Sequence, residues 1–82
     1  MNVVVILEQS EESEEMNVLG VVEEKLIEEL IDKMAEQMRL TGVEVVSSRY
    51  DDILQIITFQ LKQYGKERKY ELIAISKILN KI

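Results

Sequence analysis

The sequence predicts an α+β domain in which two helices cover one face of a three-stranded sheet. The prediction depends on a short β-branched run near the N-terminus, a long amphipathic segment after it, and a second strand-like region in the middle of the chain. The 82 residues fit one domain, residues 1–82. A chain of this size buries a thin core, and such domains often gain stability by oligomerising.

The first two elements follow from residue type and spacing. Residues 2–8 contain Val-Val-Val-Ile, which has a low helix propensity and predicts a strand. An acidic loop over residues 9–16 follows. Residues 18–40 predict an amphipathic helix, because apolar side chains recur every three or four positions. Gly42 lies where a left-handed helix cap belongs. The apolar stripe consists of Leu19, Val22, Leu26, Leu30, Met34 and Met38.

Residues 43–61 fit two structures. As strands, residues 43–47 and 53–61 flank a turn at residues 50–52. As a helix, Ser48 is the N-cap and Asp51 completes a capping box. We favour strands, because the strand at residues 2–8 needs backbone hydrogen-bond partners that no other segment supplies.

After Gly65, residues 66–81 predict a final helix. The resulting order is β-α-β-β-α, which resembles a ferredoxin-like fold lacking its last strand. The helical alternative for residues 43–61 instead gives an all-α helical hairpin or a three-helix bundle.

The predicted sheet has apolar residues on both faces. Two helices cover one face, so the other needs a second copy of the chain, and we expect a homodimer or higher oligomer. The residues predicted at this interface are Val4, Ile6, Val46, Leu54 and Ile56. Those predicted on the opposite, helix-covered face are Val3, Val5, Val45, Ile57 and Phe59.

Composition argues against an enzyme. The chain has no Cys and no His, which removes thiol nucleophiles, the commonest general base and the commonest metal ligand. We therefore expect no catalytic residues, no metal and no cofactor. Five acids in the first loop lack the spacing of a calcium-binding loop; they are Glu8, Glu11, Glu12, Glu14 and Glu15. Asp51 and Asp52 are expected to stabilise a turn.

Location and source are predicted only in outline. No apolar run is long enough for a membrane helix, and the N-terminus lacks the pattern of a signal peptide, so we expect a cytoplasmic protein without membrane contact. Abundant Lys and Glu are compatible with a thermophile.

The net charge of −6 is unevenly distributed. Residues 1–44 carry 12 acids and 3 bases, whereas residues 45–82 carry 4 acids and 7 bases. Bases interleaved with aromatic residues can contact phosphates and stack on nucleic-acid bases. This possible nucleic-acid site consists of Lys62, Lys66, Arg68, Lys69, Tyr64 and Tyr70.

One further pattern spans residues 27–54. Ile27-Glu28-Glu29-Leu30, Met34 and Gly42 are followed by Ser47-Ser48-Arg49-Tyr50-Asp51 and Ile53-Leu54. It resembles the small aspartyl-phosphate phosphatases that act on sporulation response regulators, which are helical hairpins with a Ser-Gln-Glu-Leu-Asp signature. Ser47 and Asp51 match that signature. The resemblance implies a helical regulator that uses Asp51.

We therefore expect a non-catalytic binding or regulatory module that works through protein–protein contacts as a homo-oligomer. A nucleic-acid-binding accessory protein and the phosphatase-like helical regulator are the alternatives.

Overall fold

The computed structural model describes residues 1–10 and 12–78, which form five antiparallel strands and one α-helix. The strands are β1 (Asn2–Gln9), β2 (Met16–Glu23), β3 (Glu44–Asp51), β4 (Ile56–Gln63) and β5 (Lys66–Ile78). A 3-10 turn at Glu24–Leu26 leads into α1 (Ile27–Leu40). In the sheet the strands lie in the order β2-β1-β5-β4-β3. The predicted three-stranded sheet with two helices, and both all-α alternatives, are therefore wrong.

Residues 18–23 were predicted to be helical, yet they form most of β2. Val18, Val21 and Val22 favour a strand and Gly20 weakens a helix. A bulge places Leu19 as an extra residue between the pairs Ile6–Gly20 and Leu7–Val18. The predicted apolar stripe begins with Leu19 and Val22. The bulge interrupts the strand alternation between them, so their spacing of three imitates a helix.

The predicted final helix at residues 66–81 is also wrong, because residues 66–78 form β5; residues 79–81 lie outside the described part of the chain. Leu72 and Ala74 point to one face of the sheet, and Ile73 and Ile75 to the other. This continuous apolar run suits a central strand, and β5 lies between β1 and β4.

A two-residue turn joins β4 to β5. Tyr64 and Gly65 both adopt positive φ, 54° and 74°, as a type I′ hairpin turn requires. This turn aligns Gln63 with Lys66 and so fixes the register of the whole hairpin.

The core lies between α1 and one face of the sheet. Ile31 and Ala35 of the helix pack against a layer that includes Ile57 and Phe59, both of which are fully buried. Gly42, with a φ of 88°, follows the helix as predicted, and its N–H donates to the carbonyl oxygen of Arg39 at 3.1 Å.

The register corrects the predicted division of the two faces. Val4 and Ile6 were assigned to the exposed face, but they are buried beneath α1 together with Ile57 and Phe59. The sequence shows which side chains of one strand share a face. It does not show the register between β1 and the distant β5, and that register decides which side of β1 lies on the same face of the sheet as Ile57 and Phe59.

Candidate functional site

The face of the sheet opposite α1 has no covering element among the described residues, and we call it the open face. The strand registers place alternating residues of all five strands on it. Its apolar half is formed by β2, β1, the C-terminal part of β5, and Ile56 at the start of β4. The apolar members are Val3, Val5, Leu7, Met16, Val18, Val21, Ile56, Ile73 and Ile75.

Three side chains of the apolar half are exposed to water although they are hydrophobic. The exposed fractions are 51% for Met16, 63% for Val18 and 60% for Val21. All three belong to β2, which is an edge strand. A contiguous exposed apolar patch of this kind marks an interaction surface more often than scattered single residues do.

The polar half of the open face contains a shallow depression of about 400 Å³ over β3, β4 and β5. Arg49 and Lys69 lie in it beside Asp51 and Glu71. The carboxylate of Asp51 already accepts hydrogen bonds from the N–H groups of Ile53 and Leu54, at 3.0 and 2.9 Å. Asp51 therefore stabilises the turn after β3, in agreement with the local role expected of it.

Charge on the open face is nearly balanced. Among the described residues it carries five acidic and four basic side chains, whereas the whole chain has a net charge of −6. The outer side of α1 is acidic by contrast, with Glu28, Asp32 and Glu36 exposed. The open-face charges belong to Glu23, Glu44, Asp51, Glu67, Glu71, Arg49, Lys62, Lys69 and Lys77.

The residues predicted at an oligomer interface separate in space. Ile56 lies on the open face, and Val4 and Ile6 lie in the core. Val46 is 58% exposed at a bulge in β3, and Leu54 is 65% exposed in the turn before β4. Of this set Ile56 therefore belongs to the open face, and Leu54 lines the depression on the same face.

The predicted basic patch is divided between the two faces of the sheet. Lys62 and Lys69 lie on the open face, while Lys66 and Arg68 alternate to the helix side. Acidic Glu67 is the direct cross-strand neighbour of Lys62. This arrangement gives no continuous basic track for a phosphate backbone.

The two aromatic residues of that patch also separate. Tyr64 is 94% exposed in the hairpin turn, whereas Tyr70 packs against Phe59 with ring centroids 6.1 Å apart. Burial raises the pKa of the Tyr70 phenol above its ordinary value, and the nearby Glu8 carboxylate, which accepts its hydrogen bond, raises it further. Tyr70 is thus held as a neutral donor at the edge of the core.

Comparison with protein-family models, with curated proteins and with solved structures found no match to this chain. Across residues 1–10 and 12–78, no group of three or more acidic side chains is arranged to hold a metal ion; Glu11 of the acidic loop lies outside these residues. In the same part of the chain no helix is long and apolar enough to cross a bilayer.

The β2 edge is the candidate surface that the sequence analysis missed. Residues 16–22 contain no charged side chain, contain Gly20, and are bounded by Glu15 and Glu23. An uncharged β-branched run between polar segments is a strand signal. The bulge at Leu19 interrupts the alternation of this strand, so its apolar spacing matches a helix as well.

Proposed function

We propose that the protein is a non-catalytic binding module that acts through protein–protein contacts, and that a second copy of the chain covers the open face. The supporting observation is the exposure of Val18 and Val21 beside the half-buried Val5, Ile73 and Ile75. Burying this surface removes apolar area from water, which is the dominant favourable term in most protein association.

The size of the face indicates how much of it takes part. Five strands about 4.8 Å apart, with about eight residues each at about 3.3 Å, project an area of about 600 Å². A stable interface buries about 800 Å² per partner. Even the whole open face is at the lower limit of this size, so a contact between two copies has to use both its apolar and its polar half.

Charge favours the same surface. Two copies with a net charge of −6 repel each other, and the acidic outer side of α1 is the least favourable place for them to meet. The open face is nearly neutral, and its mixed charges can pair across a twofold axis. Self-association through this face thus avoids most of the repulsion.

Sedimentation equilibrium at micromolar concentration tests the proposal. We expect a species of twice the 9.5 kDa chain mass. Val18→Lys, which places a charge in the apolar half, should shift the protein to monomer. Leu40→Lys is the matched control, because Leu40 is also exposed and apolar but lies at the end of α1.

A wild-type protein that sediments as a monomer at every concentration would refute the homodimer. A dimer that survives Val18→Lys, or one that Leu40→Lys disrupts equally, would refute the assignment to the open face.

A further inference from the structure

In the described part of the chain the outer edge of β2 is an unpaired strand edge, and it is a different surface from the open face. Among the described residues no strand pairs with this edge, so its outward backbone N–H and C=O groups are free for a further strand. Natural edge strands are usually protected by charged side chains or proline. Met16–Val22 has neither, and its protection consists of the bulge at Leu19.

An apolar groove of about 350 Å³ runs along this edge on the helix side. Leu19, Val22 and Ile6 line it from the sheet, and Leu30 and Met34 line it from α1. Leu19 is 49% exposed although it is hydrophobic. Methionine adapts to differently shaped partners, so Met34 suits a binding groove.

Gly20 lies in the floor of the groove. A Cβ added at this position would meet no heavy atom within 4 Å, so the space above Gly20 is open. An added strand could place a side chain there.

The charges at the two ends of β2 indicate which kind of strand fits. Glu14 and Glu15 precede it, Glu23 ends it, and Glu24 follows it. Lys25 pairs with Glu23 at 3.3 Å, which leaves an acidic excess at both ends. A second copy of β2 would bring its own acids to these positions, whereas Lys or Arg on the added segment would be attracted.

We propose that β2 binds an extended segment of another protein, with alternating apolar side chains and basic residues at both ends, as a sixth strand of the sheet. The backbone of the segment pairs with the β2 edge, and every second side chain enters the groove beside Leu19 and Met34. This site goes beyond the proposed function, since the edge stays accessible when the open face is covered.

The probe is the labelled peptide Lys-Lys-Thr-Val-Thr-Val-Thr-Val-Lys-Lys, followed by fluorescence anisotropy with the full chain. We expect saturable binding that weakens as salt is added. The same core with Glu at both ends should bind at least about tenfold more weakly, a difference of about 1.4 kcal/mol. N-methylation of alternate peptide nitrogens should also abolish binding, because it removes the backbone donors.

Gly20→Val provides the protein control. The Cβ of the new side chain meets no heavy atom within 4 Å, and valine is a good strand former, so the variant should fold with an unchanged or higher thermal midpoint. Its affinity for the peptide should fall at least about tenfold. Thr58→Val, on the open face, should bind the peptide as the wild type does.

Four results would each overturn the proposal. They are no saturable binding by the wild type, equal binding of the Glu-flanked peptide, equal binding of the N-methylated peptide, and unchanged affinity in Gly20→Val. Loss of self-association in Gly20→Val would also overturn it, because the edge would then pair with a second copy. The sedimentation test with Val18→Lys is independent of these results.

Discussion

At the scale of single residues, three tyrosines occupy three different environments. Tyr50 packs against the core and its hydroxyl is buried without a hydrogen-bond partner among the described residues. Tyr64 is exposed in a turn, and Tyr70 donates to Glu8 while its ring stacks on Phe59. Residue type therefore does not predict the role of a tyrosine here; its strand position does.

Tyr70 should make stability depend on alkaline pH. Its folded-state pKa is raised above the ordinary 10.0, so its contribution is present below that value and is lost as pH rises through the folded pKa. Urea unfolding from about pH 8 to about pH 11.5 measures the loss. Tyr70→Phe should lose less stability over this range than wild type, and Tyr64→Phe should follow wild type. Equal losses in the two variants would contradict the role of Tyr70.

Asp51 should contribute to stability through its two backbone hydrogen bonds. Asp51→Ala leaves the N–H groups of Ile53 and Leu54 without their acceptor, and should lower the free energy of unfolding by about 1 kcal/mol. Asp51→Asn retains a carbonyl acceptor and should lose less. Asp52→Ala is the control and should change stability by less than about 0.5 kcal/mol. A larger effect at Asp52 in urea titrations would exclude this assignment.

At the scale of elements, the β4–β5 hairpin contains a residue poorly suited to its conformation. Tyr64 adopts a φ of 54°, which costs an L-residue about 1–2 kcal/mol and which Asn tolerates better. Because Tyr64 is 94% exposed, Tyr64→Asn loses little packing. We expect a gain of about 0.5–1 kcal/mol in thermal or urea unfolding.

Gly65→Ala is the opposite test of the same turn. Its Cβ would meet nothing within 4 Å, but the φ of 74° strains any L-residue, so stability should fall by about 1 kcal/mol. If Tyr64→Asn destabilises the protein, or Gly65→Ala does not, the type I′ assignment fails.

The helix is held by its buried side rather than by intrinsic helicity. At 14 residues α1 is marginal in isolation, and Ile31, 2% exposed, anchors it to the sheet. Ile31→Ala should cost about 3 kcal/mol by creating a cavity. The neighbouring Asp32→Ala, on the exposed side, should change stability by less than about 0.5 kcal/mol. Comparable losses in denaturant titrations of the two variants would show that α1 does not pack this way.

At the scale of the whole molecule, stability should depend on concentration. Association that only the folded chain can make stabilises it by mass action. We expect the thermal midpoint to rise by a few degrees between about 1 μM and about 100 μM protein. Val18→Lys should remove this dependence and Leu40→Lys should keep it. A wild-type midpoint that is the same at all concentrations would argue against a homodimer.

The overall fold also differs from the one that the resemblance to the sporulation phosphatases implies. That family consists of helical hairpins, but residues 44–51 and 56–63 are paired strands here. Ser47 lies on β3, and the carboxylate of Asp51 accepts a hydrogen bond from the backbone N–H of Ile53 in the following turn. A helical regulator that uses Asp51 is therefore not supported.

Local sequence determined several features of this protein. The Val-Val-Val run predicted β1, the second half of the predicted stripe (Leu30, Met34 and Met38) predicted α1, and Gly42 predicted its cap, because each depends on neighbouring residues. The absence of His and Cys, and the division of charge between the two halves, also follow from the sequence.

Only the tertiary structure decided the strand character of β2 and β5 and the composition of each face. The bulge at Leu19 gives a strand the spacing of a helix. β5 is stable as a strand because β4 pairs with its first half, residues 66–73, and β1 pairs with its second half, residues 73–78. Which side of β1 faces α1 depends on its register with β5, about 70 residues away in the chain. Such distant pairings cannot be predicted from local sequence. The open face and the β2 groove could therefore be identified only from the tertiary structure.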